Sequence, residues 1–447
     1  MTLSVISIFI GLIILMVLAF KGHSIIWVAP FAAIVVALLS GYNLFDAYLI
    51  DYMTGLGNYI IKWFPAFFLG AVYGKVMDIT GAARSLANKL ISLIGEQWAL
   101  LAVVLPCMLM TYGGVSLFVV VFVVYPMGYA IYREANLPRT LLPGAIAFGA
   151  FGITMTALPG SPQIQNIIPT DFFGTTAMAA PGLSIVASLM MAIPGYIYLN
   201  YRIKQVRLQG LGFVEDPKFV DSGYDPTKVK SWHWLSGLIP IIVVVFMLNV
   251  FPRILLNKFG IDWSGNEPIV IALLSGILLC SIMNADKLPD ILKAINDGAN
   301  SSILAIMNTA CAVGFGSVVK AMPGFTVLTN AILNLPGSPL FSLALAVNLL
   351  AGSTGSASGG LSIALEALAP KYIELASAHG IPLGAMHRIS SISCGGLDTL
   401  PQNGAVLTLL AVSNCTHKES YKDIAITCSI IPLVVSLVLG LLGDFIY

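Results

Sequence analysis

The chain writes one pattern twice. Tyr112-Gly113-Gly114-Val115-Ser116-Leu117 is followed by Asn136-Leu137-Pro138 and then Thr156-Ala157-Leu158-Pro159. Ser358-Gly359-Gly360-Leu361-Ser362-Ile363 is followed in the same order by Gly380-Ile381-Pro382 and Thr399-Leu400-Pro401. Asn58 and Asn300, Gly74 and Gly316, and Pro159 and Pro401 each stand 242 residues apart, and Ala37-Leu38-Leu39-Ser40-Gly41 recurs as Ala272-Leu273-Leu274-Ser275-Gly276. Two halves of one ancestral unit are implied. Each must fold alike, with its Gly- and Pro-broken segments at matching places.

The solvent for such a fold is lipid. Hydrophobic residues make up 57% of the chain and charged ones 10%, where a soluble domain carries about 25% charged. Windows of about 20 apolar residues place spans near 3–20, 24–41, 58–78, 140–157, 182–202, 235–251, 266–283, 299–319, 384–410 and 424–444. Met1 to Phe20 lacks a basic start and an A-x-A-like cleavage site, so it reads as a retained first helix rather than a signal peptide. The six cysteines show no metal or redox spacing and read as packing residues. The histidines at 23, 233, 379, 387 and 417 lie in or beside expected loops and suggest no metal site. A net charge of +1 argues for no nucleic-acid partner. No cofactor is indicated.

Two further apolar stretches, 97–132 and 338–369, are interrupted at Gly113-Gly114 and within Gly352-Ser353-Thr354-Gly355-Ser356-Ala357-Ser358-Gly359-Gly360. Glycine clusters free backbone groups that lipid cannot satisfy, so each break must be buried in protein or line a watery cavity. Both read as re-entrant hairpins. Five crossings plus a hairpin per half is an odd number of crossings, so the second half starts on the opposite face. The expected architecture is an all-α integral membrane protein of two inverted-topology repeats, 1–202 and 233–447, joined by a cytoplasmic linker, 203–232. With that linker inside, 16 of the 22 Lys and Arg fall on the cytoplasmic face and 6, among them Lys62, Lys320 and Arg388, on the other. Both termini are then extracytoplasmic.

Polar side chains crowd the broken segments. Thr156 to Asn166 carries Gly160, Ser161, Gln163 and Asn166 together with two prolines, Pro159 and Pro162, that unwind the helix; its counterpart runs from Asp398 through Thr399, Pro401, Gln402 and Asn403 to Gly404. With the tips at Gly114 and Ser116 and at Ser353, Thr354, Ser356 and Ser358, these residues form the candidate substrate site. Small and hydroxyl side chains also serve close helix packing in membranes. Their joint placement in both halves matches half-helix N-termini whose free N–H groups and positive dipole ends cradle an anion. No arginine lies in either tip or break, so backbone N–H groups, aided by the amides and hydroxyls, are expected to bind a carboxylate.

The tips Gly113-Gly114-Val115-Ser116, with Pro126, and Gly352 to Gly360, and the breaks Pro159 to Asn166 and Pro401 to Asn403, resemble the gluconate permease (GntP) family of the ion transporter superfamily over nearly the whole chain. That resemblance implies cation-coupled, mainly proton-coupled, uptake of small hydroxy-carboxylates across the bacterial cytoplasmic (inner) membrane, two inverted repeats and often a homodimer. Two departures stand out. The gluconate branch carries a His-x-Asn-Asp-Ser-Gly pattern where this chain has Leu397 to Gly404, and a Pro-Pro-rich segment where it has Leu158 to Gln163. Leu-Pro-Gly-x-Pro-Gln-Ile-Gln-Asn looks more like a branch associated with short monocarboxylates such as 3-hydroxybutyrate.

Two acids are candidates for proton coupling. An unpaired charge at a helix centre costs about 2.5–3.5 kcal/mol on insertion scales. Asp398 precedes the second break, and burial would favour its neutral form. Glu366, on the returning arm of the second hairpin, is the alternative. Sodium coupling, or export within the same superfamily, remains the competing reading, because tip carbonyls and hydroxyls can also coordinate Na⁺. An enzyme is disfavoured: no His-Glu-x-x-His, Gly-x-Ser-x-Gly or paired His/Asp constellation is present.

Overall fold

The computed structural model describes residues 2–21, 23–94, 98–115, 117–216, 233–261, 267–327, 338–401 and 403–443. Every regular element among them is a helix. The first half comprises α1 (Thr2–Phe20), α2 (Ile25–Ser40), α3 (Asp46–Ile79), α4 (Ala82–Ile94), the hairpin arms α5 (Ala99–Tyr112) and α6 (Leu117–Glu134), α7 (139–156), α8 (Ile164–Phe173) and α9 (Pro181–Leu208). The second comprises α10 (Leu235–Asn249), α11 (Phe251–Phe259), α12 (Glu267–Met283), α13 (Leu288–Ala321), the arms α14 (Pro339–Thr354) and α15 (Ala357–His379), α16 (Leu383–Ser393), α17 (Gly404–Val412) and α18 (His417–Leu441). A long helix, a hairpin, a helix broken by an unwound segment and a closing helix thus follow one another twice.

Among the described residues, four helices are long and apolar enough to cross a membrane, α3, α9 and α18 among them; α10 and α11 form a fifth candidate bent by 42°. Shorter apolar helices, including α2, α12 and the arms α5 and α14, pack among them. Several spans are longer than the hydropathy windows predict. The long helix α3 starts at Asp46 through a π-helical stretch ending at Tyr52, α13 starts at Leu288, and α9 continues to Leu208. The expected span 384–410 is two half-helices, α16 and α17, separated where Gly395-Gly396 and Pro401 interrupt the ladder.

Equivalent helices of the two halves lie antiparallel. Near the start of α3, Tyr52 meets Gly314 near the end of α13; late in α3, Val72 meets Gly298 near the start of α13. A Cβ on Gly314 would stand 2.9 Å from Tyr52 O, and one on Gly298 2.7 Å from Val72 Cα, so glycine is what lets the two backbones approach. The closing helices repeat this relation: Arg202, late in α9, pairs with Asp423, early in α18, at 2.8 Å, and Tyr198 donates to the same carboxylate at 2.6 Å.

After α9 the chain turns back onto the first hairpin. The Phe213 ring stands edge-on to Tyr129 at 4.8 Å, and its N–H donates to Asn136 Oδ1 at 2.9 Å. Asp216 takes an ion pair from Arg139 at 3.6 Å and a hydrogen bond from Asn414 at 3.0 Å, and its N–H donates to Tyr129 at 2.8 Å. The basic linker residues Lys218, Lys228 and Lys230 lie outside the described residues.

Candidate functional site

Both hairpin tips and both breaks converge on one cavity of about 880 Å³. Each tip turns on a glycine in the left-handed region, Gly114 at φ +88° and Gly355 at φ +60°, a conformation that costs a side-chain-bearing residue about 1–2 kcal/mol. A Cβ on Gly114 would also lie 2.8 Å from Pro162 Cγ in the first break. Gly359 and Gly360, expected within the interruption, instead lie in α15, where a Cβ on Gly360 would collide with the Ala351 backbone of the facing arm.

Both walls mix polar and apolar groups. The first half contributes Phe67, Phe151, Met155 and Ile164 beside Gln163 and Gln165; the second contributes Asn308, Thr309, Ser356, Ser358, Asp398 and Thr399 beside Ile269, Leu273, Leu304 and Leu407. The Thr309 and Ser358 hydroxyls stand 3.4 Å apart, and those of Ser356 and Ser358 3.5 Å. Toward the end of α3 the lining becomes charged, at Lys75 and Asp78.

Each break is tied to its own tip by the residue that starts the next half-helix. Gln163 Nε2 donates to Thr111 O at 2.7 Å, and Asn403 Nδ2 donates to Gly355 O at 3.1 Å. Asn403 also caps α17, its Oδ1 accepting from Ala405 N at 2.7 Å and Val406 N at 3.1 Å. Gln163 gives α8 no side-chain cap, which leaves the first-turn N–H groups of Ile164 and Gln165, both at the cavity, without a partner among the described residues.

Two buried acceptors in this cavity are also unsatisfied. Asp398 is 4% exposed, makes no ion pair among the described residues, and its Oδ1 accepts no hydrogen bond there. Gln165, 7% exposed, has a side-chain Oε1 in the same condition. A buried polar atom without a partner costs about 1–3 kcal/mol, so atoms left this way at a cavity wall are groups that a ligand, an ion or water can satisfy.

Of the residues expected from sequence, Gly114, Gln163, Ser356, Ser358, Asp398, Thr399 and Asn403 line the cavity. Thr156, Gly160, Ser161 and Asn166 instead hold the first break in shape from behind. Asn166, fully buried, donates to Ser161 O at 2.8 Å and to Ala177 O at 3.0 Å. Gly160, at φ +79°, donates its N–H to Ala177 O at 2.8 Å and accepts from Asn249 at 2.9 Å. Ser161 Oγ accepts from Gln163 N at 3.3 Å, and Thr156 O accepts from Ser391 at 2.9 Å. Ser116 and Gln402 lie outside the described residues; Ser353 and Thr354 form the last turn of α14, and their side chains are likewise outside the description. Glu366 is not at the cavity: half-exposed, it pairs with Lys320 at 3.7 Å.

The pair His387-Arg388 departs from its loop-side expectation. Both are fully buried within α16. Asn166 spends its amide hydrogens on carbonyls, so its Oδ1, 3.4 Å from His387 Nε2, accepts from that ring, and Thr175 Oγ1 donates to Nδ1 at 2.6 Å. Arg388 donates to Ala177 O at 3.2 Å and Ala179 O at 3.1 Å. The sequence reading missed Gln165, Asn308 and Thr309. For Gln165 the signal was its place inside Gln163-Ile164-Gln165-Asn166, and its helical phase decided the rest.

The model of GntP family permeases matches residues 1–381. The uncharacterized transporter YxjC of Bacillus subtilis (strain 168) is 39% identical, covering 94% of this chain and 95% of that protein. The high-affinity gluconate transporter of Escherichia coli (strain K12) is 24% identical over 70% of this chain and 68% of its own length. Among solved structures, the fold is similar to the YdaH transporter of Alcanivorax borkumensis, with a TM-score of 0.59 at 16% identity over 91% of each chain. It is also similar to MtrF of Neisseria gonorrhoeae, with a TM-score of 0.56 at 13% identity over 99% of this chain and 95% of that one.

Proposed function

Because this chain belongs to the GntP family of permeases, we propose that it is a secondary active transporter carrying a small hydroxy-monocarboxylate, 3-hydroxybutyrate-like or gluconate-like, into the cell together with protons. The observation that carries this reading is the meeting, in one cavity, of unspent N–H groups at Ile164 and Gln165 with the Asp398 carboxyl, which has no ion-pair partner among the described residues and whose Oδ1 accepts no hydrogen bond there. The amides and the dipole of α8 attract a carboxylate. The hydroxyls of Thr309, Ser356 and Ser358 offer partners for a substrate hydroxyl, while Phe67, Met155 and Ile164 accept an apolar end. An anion entering beside an ionised Asp398 meets like charge, and a proton taken up there removes that repulsion. In this reading the two units are inverted repeats, the antiparallel α3 and α13 are their crossing, and the linker faces the cytoplasm.

Proteoliposome uptake of labelled 3-hydroxybutyrate and labelled gluconate, each with and without a pH gradient and with and without Na⁺, tests it. Accumulation that follows the pH gradient supports proton coupling. Accumulation that follows Na⁺ alone overturns it in favour of a sodium-coupled carrier, whose ion the tip hydroxyls would coordinate.

A further inference from the structure

Unwinding leaves the carbonyls of the second break without helical partners, free to take donors from other elements. Two come from the first turns of α18. His417 Nε2 lies 2.9 Å from Pro401 O, and Tyr421 donates its hydroxyl to Thr399 O at 3.1 Å. The residues are four apart, on one helix face, with ring centroids 5.8 Å apart. The start of α18 is itself fixed, because Thr416 and Glu419 form a capping box in which Thr416 N and Oγ1 each donate to Glu419 Oε2 at 2.7 Å. Thr399 is held at its other end by the same helix: its hydroxyl lies 2.8 Å from Cys428 O and 2.6 Å from Ser429 Oγ.

The first break is held differently. Pro159, the counterpart of Pro401, has its carbonyl held by Tyr112 at 3.1 Å, from the end of its own hairpin arm. In the second break the fastener is the closing helix, and the residue so fixed in direction is Asp398, the neighbour of Thr399.

We propose that His417 and Tyr421 are positioning residues: by holding the carbonyls on the far side of Asp398 they set how its carboxyl faces the cavity. The functional part of this inference rests on the proton-coupling reading above; the fastening part does not. Neither residue touches the cavity, so both act through the backbone of the break.

Amide hydrogen exchange of the full-length protein in detergent, resolved on residues 397–404 and 158–166, separates the two parts. Tyr421→Phe and His417→Ala each remove one donor and should speed exchange in 397–404 by roughly threefold to tenfold, the size of one lost hydrogen bond, with 158–166 unchanged. His417→Gln, which can still donate, should restore protection. In proteoliposomes the first two variants should displace the pH profile of uptake of whichever labelled acid, 3-hydroxybutyrate or gluconate, is carried, and His417→Gln should not. Wild-type exchange in 397–404 in both Tyr421→Phe and His417→Ala overturns the proposal. Faster exchange there, with transport that Asp398→Asn leaves unaltered, upholds the fastening and overturns the proton-carrier reading instead.

Discussion

At the first break the half-helix α8 begins without a side-chain cap and keeps two amides unspent at the cavity, while its polar neighbours brace the break itself, Ser161 Oγ accepting from Gln163 N and Asn166 donating to the carbonyls of Ser161 and Ala177. At the second break Asn403 caps α17 by accepting from Ala405 N and Val406 N, and Asp398 brings a carboxyl to the cavity beside Thr399 and Asn403. One repeated pattern has therefore yielded two chemistries: a donor-rich end suited to an anion and an acidic end suited to a proton. The hairpin tips are tied in the same way on both sides, by Gln163 and by Asn403. The fastening of tip to break recurs on both sides, while the groups presented to the cavity differ.

That division can be broken experimentally, and the largest effect is expected at the acidic end. Asp398→Asn should mimic the permanently protonated state. Gradient-driven accumulation should fall by at least about tenfold, equivalent to some 1.4 kcal/mol, while substrate exchange across proteoliposomes survives, because exchange needs alternating access but no net proton release. Retained accumulation with an unaltered pH dependence would remove the acid from the comparison.

Next in size is Gly114→Ala at the donor-rich end. Left-handed strain alone costs about 1–2 kcal/mol, and the contact with Pro162 adds to it. Thermal unfolding in detergent should drop by several degrees and transport should be lost. A variant with wild-type melting and uptake would mean that the tip does not need this turn.

Asn166→Ala and Asn403→Ala sharpen the contrast between the breaks. Loss of the buried bonds of Asn166, two donated to carbonyls and one accepted from His387, should lower the melting temperature and leave apparent affinity nearly unchanged, with a cost of about 1–3 kcal/mol. Loss of the Asn403 cap, worth about 1 kcal/mol, should instead raise the apparent KM, because Asn403 stands at the cavity. If both variants keep wild-type affinity and maximal rate, the site has been misplaced. The smallest effect belongs to Glu366→Gln. Its pair with Lys320 is half-exposed, such pairs contribute about 0–1 kcal/mol, and accumulation measured beside Asp398→Asn should remain near wild type.

Much of this was legible in the sequence because proline and glycine act locally. Gly114, Pro159 and Pro401 stand beside further glycines or polar residues and there the helices break, whereas lone prolines such as Pro65 and Pro194 stay within helices, so tips and breaks fell close to where they were expected. What stayed hidden depends on phase and contact. Gln165 and Asn166 are neighbours about 100° apart around α8, and which one meets the cavity is settled by α16 behind it, whose His387 takes Asn166. Asn308 and Thr309 sit in the middle of α13, where a polar residue in an apolar helix reads equally well as packing. The second tip shows the same limit: Gly355 turns the chain with a positive φ, whereas Gly360 serves close packing, and composition cannot distinguish the two uses.

The return of residues 210–216 onto the first hairpin has a practical corollary for dissecting the protein into complementing fragments. A division placed where α9 leaves the apolar region would strip Tyr129 and Asn136 of Phe213 and would deprive Arg139 of Asp216. Placed after Asp216, the cut lets the amino-terminal fragment keep its own clasp, and Asn414, the carboxy-terminal fragment's ligand for Asp216, becomes a point at which the separately made pieces can recognise each other.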